Sequence, residues 1–163
     1  MDFIRKHAIK LPALFVCFVF VQSLFFKFAR NVETIYIFEE KLDPWAASLG
    51  FPGLFAPGGL FSAYVVGSAE LVASSLILFG TLTARPRIQG LGALLGLGVI
   101  SGAIFFHLFT PLGVSVRNAD GSFDGGQLFA MACLVWVCCL GIVVLRRDAL
   151  LELIGLRRPM MPA

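Results

Sequence analysis

The chain reads as an all-α integral membrane protein, a bundle of four spans with a short amphipathic segment at its outer side. Three observations predict this. Of its 163 residues 58% are hydrophobic and only 14% charged, against about 45–50% and about 25% in soluble domains. The mean hydropathy is +0.89. Four runs approach the roughly 20 apolar residues that a bilayer span requires: about Leu11–Ala29, Ser62–Thr81, Ile88–Thr110 and Gln127–Leu145. Together they take up most of the chain, so residues 1–163 are expected to form a single four-span domain.

Charge placement predicts the orientation. Arg5, Lys6 and Lys10 precede the first run, Arg85 and Arg87 separate the second from the third, and Arg146, Arg147, Arg157 and Arg158 follow the fourth. The other loops mix Lys27, Arg30, Lys41 and Arg117 with Glu33, Glu39, Glu40, Asp43, Asp120 and Asp124. The positive-inside rule then puts both termini and the Arg85–Arg87 turn in the cytoplasm. The net charge of +3 is no nucleic-acid footprint.

The first run has a basic approach like a signal peptide. It is long, however, and no small-residue cleavage site closes it, so a retained helix is expected. At its outer end Ser23, Lys27 and Arg30 share a face by spacings of four and three. Lys27 either snorkels to the headgroups or turns inward to a partner.

In the segment that follows, Val32, Ile35, Phe38 and Leu42 recur at helical spacing, which predicts a short interfacial helix with Trp45 as its anchor. Prolines and glycines between Phe51 and Leu60 break regularity. The apolar content there predicts a loop dipping into the headgroups or a turn packed on the bundle.

The second span carries Glu70, about eight residues in, or ~12 Å from its outer end. A carboxylate at such a place costs ~2.5–3.5 kcal/mol on insertion scales and marks a functional candidate. Ala63, Gly67, Glu70 and Ser74 form a stripe that is small except at Glu70, so Glu70 is expected to face other helices. The third span holds two Gly-x-x-x-Gly patterns, Gly92–Gly96 and Gly98–Gly102. His107 shares the Gly92–Gly96 face and is expected to point into the bundle. Asp124, ahead of Gly125 and Gly126, is placed to cap the fourth span, and Arg146–Arg147 are expected to end it.

Gln22, Lys27, Glu70 and His107 are the candidate ligand or proton site. A carboxylate and an imidazole in the outer half of a bundle suit proton relay, or a polar headgroup such as a quinone carbonyl. The structural alternative is a satisfied Glu–His or Glu–Lys pair that fixes helix register. The clustered phenylalanines read first as belt and packing residues. Two histidines without an acidic cluster at ligand spacing predict no metal site. No phosphate loop, nucleophile elbow or dinucleotide fingerprint is present. Cys17, Cys133, Cys138 and Cys139 all fall in spans and read as small buried residues.

Several segments in this order resemble the DoxX family of small four-helix membrane proteins: Phe26-Lys-Phe28, Val32-ETIYIFEEKLDP-Trp45, Gly67-SAE-Leu71, Leu76-ILF-Gly80, Leu91-GALLGLGVISGAIFFH-Leu108 and Asp124-GG-Gln127. Glu70 looks like the acidic residue of that family's second helix, and His107 like a histidine near the end of its third. The Ala46–Leu60 link is longer than in many relatives, and the first helix has Leu, Phe and Val where Arg and Gly are often seen. The resemblance implies a bacterial cytoplasmic membrane and a quinone- or redox-linked accessory role. The residues also suit a non-catalytic subunit or scaffold with a protein partner in a membrane complex, or a small transporter working as a homo-oligomer. In every case membrane lipid is a partner.

Overall fold

A computed structural model describes residues 9–156. Four long helices, α1 (Lys10–Phe28), α4 (Ala63–Leu82), α5 (Pro86–Phe109) and α6 (Gln127–Leu153), are each long and apolar enough to cross a membrane. Between α1 and α4 run α2 (Val32–Ile35), a π-helical stretch (Tyr36–Leu42) and α3 (Asp43–Ser48). Among the described residues there is no strand, only an isolated bridge between Arg117 and Phe123.

The four long helices pack in a ring, each on the next, with α6 closing on α1. Lipid tails are as apolar as leucine, so the hydrophobic effect does not hold such a bundle together; close contact does. The core is accordingly small-residue rich: Ala13, Cys17, Ala73, Ala93, Ala132 and Cys139 surround Phe20, Ile77, Val16 and Val135. Gly92 lets α5 reach α4, where an added Cβ would sit 2.7 Å from Ile77 N. Gly80 does the same one helix earlier, against the backbone of Gln89. Gly96 admits the Phe20 ring to the centre. The second pattern behaves differently: nothing lies within 4 Å of a Cβ at Gly98 or Gly102, so that pair faces away from the bundle.

Helix ends follow local chemistry. After α1 the amide of Asn31 bonds to Phe26 O at 3.1 Å and that of Arg30 to Lys27 O, with Arg30 at φ 49°. This is the Schellman closure, here without its usual glycine. Ala84 (φ 53°) ends α4 in the same way, and Pro86 starts α5. The fourth helix departs from expectation. It does not stop at Arg146 and Arg147 but continues to Leu153 and closes on Gly155 at φ 72°. Arginine is a good helix former, and Glu152 is held by Arg87 at 3.0 Å. The apolar run ends at Leu145 while the helix does not. Arg5, Lys6, Arg157 and Arg158 lie outside the described residues.

A second core caps the end of the bundle that carries Lys27. It gathers Tyr36, Phe38, Leu42 and Ala46 with Phe55, Leu112 and Val116. Of the expected Val32–Ile35–Phe38–Leu42 face, Phe38 and Leu42 are buried and the other two are not. Val32 is exposed and Ile35 half-buried, while Thr34 and Tyr36 are buried. The π turn, with its wider i→i+5 repeat, rotates the buried face relative to an α-helical reading. Trp45 lies edge-on to Phe106, 6.2 Å between ring centroids, and so packs on the bundle. The irregular Phe51–Leu60 segment is a turn packed on the bundle end. Phe55 is 2% exposed, and its amide donates to Asp43 Oδ1.

Candidate functional site

Glu70 faces α1, one helical turn below Gly67, where Leu24 and Phe28 approach most closely. It is 5% exposed. Lys27 Nζ lies 3.0 Å from Glu70 Oε1 and 2.8 Å from Oε2. The Ser23 hydroxyl is 2.7 Å from Oε2, and Lys27 Nζ donates to Ser23 Oγ at 3.1 Å. Ser23 and Lys27 are four residues apart on one face, and both turn inward. An ammonium has three donors; with two on the carboxylate and one on the hydroxyl, they are all taken. A lone carboxylate here would be strongly disfavoured, and this three-group cluster satisfies it.

The remaining candidates lie elsewhere. Gln22, one position from Ser23 and so about 100° around the helix, is exposed. Arg30 leaves the shared face and makes a two-pronged contact with Glu39 at 2.8 and 2.9 Å. His107 is buried as expected, at 7% exposure, but its partner is a loop. Nδ1 is 2.7 Å from Gly113 O, and the ring meets Phe129 edge-on. A carbonyl only accepts, so Nδ1 carries the proton. Among the described residues no hydrogen bond or ion pair joins His107 to Glu70. His107 instead ties down the loop between α5 and α6.

That loop is further fixed by Asp124. Its Oδ1 accepts from the Val116 and Gly126 amides and the Ser115 hydroxyl, and its Oδ2 from the Leu128 amide. The expected cap on the last helix is thus made. Burial works against the Asp124 carboxylate, but the bonds from Leu128, Val116, Gly126 and Ser115 outweigh it and hold its pKa below the ordinary 3.8.

Two features were not singled out from the sequence. Gln89, fully buried, donates to Thr81 Oγ1 at 2.7 Å and accepts from Arg146 Nε at 2.6 Å. Its signal was present: a polar residue one turn inside α5, on the same glycine-lined face. The other is an apolar groove of about 430 Å³ between α5 and α6, lined by Ser101, Ile104, Phe105, Phe109, Cys133, Trp136 and Val137. Trp136 Nε1 donates to Ser101 Oγ at 3.0 Å within it. The groove belongs to the α5–α6 side of the ring and the Lys27–Glu70 cluster to the α1–α4 side.

No group of three or more metal-ligating side chains occurs among the described residues. The four cysteines are free thiols. Cys138 and Cys139 point to different faces, and only Cys139 is buried. Four apolar helices around one small-residue core, with Glu70, Ser74, Gln89 and His107 buried among them, define a multi-pass integral membrane protein. Comparison with family models, curated proteins and solved structures returns no match.

Proposed function

We propose that the chain is a DoxX-like, quinone- or redox-linked accessory protein of the bacterial cytoplasmic membrane, with both termini cytoplasmic, and that it receives a quinone headgroup at Lys27, Glu70 and Ser23. The observation that carries this reading is the inward turn of Lys27. A lysine within reach of the headgroups normally snorkels outward; the side chain of this one is 16% exposed and spends its donors on a glutamate whose side chain is 7% exposed. Conjugated carbonyls accept hydrogen bonds, and the Lys27 ammonium is the donor suited to one. The headgroup takes the place of Ser23 on Lys27, while Glu70 stays paired. Phe28 and Tyr64, stacked 6.2 Å apart at the same helix pair, offer a flat apolar wall. His107 stands outside this site. Mass spectrometry of protein purified gently from native membranes tests the reading. Quinone is expected with the natural protein and not with Glu70→Gln; equal retention by both contradicts it.

A second reading, a non-catalytic subunit or assembly scaffold, is favoured by the outward Gly98–Gly102 pair. Leu91, Leu95, Phe105 and Phe109 continue that stripe at alternating spacings of four and three, and all four are exposed. A flat stripe with glycines at its middle suits another transmembrane helix. Cross-linking through Gly98→Cys in native membranes would give one discrete adduct with a partner or a second copy; no adduct would count against it.

A further inference from the structure

We propose that Arg146 is the phosphate-binding residue of an anionic-lipid site at the Arg85 end of the bundle, and that Gln89 holds it in place. Arg146 follows Leu145, where the apolar run of α6 gives way to charge, so it sits at headgroup depth. Its stem lies against Gly90, where an added Cβ would be 3.2 Å from Arg146 Cβ. Its Nε donates at 2.6 Å to Gln89 Oε1. Gln89 cannot move to follow it: its own Nε2 is on Thr81 at 2.7 Å, and its backbone is pressed by Gly80. Thr81 in turn donates to Ile77 O. The side chain of Arg146 is thus anchored through one nitrogen by neutral groups, which leaves its two terminal NH₂ groups for an anion.

Among the described residues none supplies such an anion. Nearby Glu152 is taken by Arg87 at 3.0 Å, and Asp148 lies 3.8 Å from Arg147. Among the described residues no carboxylate comes within 4 Å of an Arg146 nitrogen. A half-buried guanidinium that is oriented but uncompensated is costly unless something outside the chain neutralises it. At this depth the abundant anion is a lipid phosphodiester, which matches the planar, two-pronged donor of arginine. Phe79, Leu82 and Leu145 are exposed apolar residues at this end, and Arg85 lies over the Phe79 ring at 5.5 Å, adding a second cation.

Native mass spectrometry of the purified full-length protein, titrated with phosphatidylglycerol, phosphatidylcholine or inorganic phosphate, tests this. The natural protein is expected to retain one phosphatidylglycerol in preference to phosphatidylcholine. Arg146→Gln should weaken that retention at least about tenfold, as loss of a charge-assisted bond does. Arg147→Gln, an exposed neighbour, should weaken it no more than about fivefold. Gln89→Glu keeps the acceptor for Arg146 and supplies an internal anion, with the Thr81 hydroxyl turning from Ile77 O to donate to the oxygen that replaces Nε2; it should fold and lose the preference. Equal retention by Gln89→Glu and the natural protein, equal effects of the two arginine variants, or displacement by millimolar inorganic phosphate would overturn the assignment.

Discussion

Lys27 and Glu70, 43 residues apart in the chain, meet with Nζ 2.8 Å from Oε2 inside the first helix pair. The two partners are unequal in reach. Lysine can swing its four-carbon stem to the headgroups if abandoned, whereas a glutamate cannot leave the bundle.

Removing one partner should therefore destabilise asymmetrically. Lys27→Met leaves Glu70 buried and uncompensated and should cost about 3 kcal/mol, the low end for breaking a buried pair. Glu70→Gln should cost about 1 kcal/mol, because Lys27 escapes and the amide still accepts from Ser23. The double variant Lys27→Met/Glu70→Leu should recover most of the loss, since apolar replacement of a buried pair is often neutral or better. Thermal unfolding in detergent measures all three.

The two glycine patterns should respond in opposite ways to the same substitution. Gly92→Ala forces a Cβ to 2.7 Å from Ile77 N and should cost about 1–3 kcal/mol as overpacking. Gly98→Ala meets nothing within 4 Å and should leave the monomer as stable or slightly more so, given the better helix propensity of alanine. The same thermal assay separates them.

The Asp124 cap should impart a pH dependence at the acid end. Its folded pKa lies below 3.8, and an unfolded aspartate titrates near ~3.9. The stabilisation it gives is therefore complete above about pH 4 and disappears as pH falls through the folded value. Hydrogen exchange of residues 115–128 should accelerate as pH falls below about 4, beyond the change in intrinsic rate. Asp124→Asn should remove that dependence, and Asp124→Ala should cost about 1 kcal/mol, as for a lost helix cap.

The proposed orientation, with both termini cytoplasmic, puts a single cysteine at Thr83 on the inner face of the membrane and one at Ser122 on the outer face. In a background without the four natural cysteines, an impermeant maleimide should label Ser122→Cys in intact cells and Thr83→Cys only after lysis. The reverse pattern would invert the orientation.

The sequence showed the first three spans to within two residues, because length and hydropathy are set by the bilayer: Leu11–Ala29 became Lys10–Phe28, Ser62–Thr81 became Ala63–Leu82 and Ile88–Thr110 became Pro86–Phe109. Periodicity also put Ser23 with Lys27 and put Glu70 on a packing stripe. It did not show that these two stripes face each other, since that depends on how far α1 and α4 are rotated. Gln22 and His107 mark the limits of such reasoning. One position of helical rotation takes Gln22 out of the cluster. For His107, the competing acceptor is a backbone carbonyl at Gly113, which no side-chain pattern reveals. The extension of α6 beyond Arg147 was hidden because hydropathy reports where lipid ends rather than where a helix ends; Gly155 was the better signal.

The most direct test uses the double variant Lys27→Met/Glu70→Leu, which keeps the fold while removing every charge from the cluster. Binding of a short-chain quinone to purified protein, measured against the natural chain at matched thermal stability, should fall below detection. Undiminished binding by the double variant would contradict the headgroup site and leave the Lys27–Glu70 pair as a purely structural tie between α1 and α4.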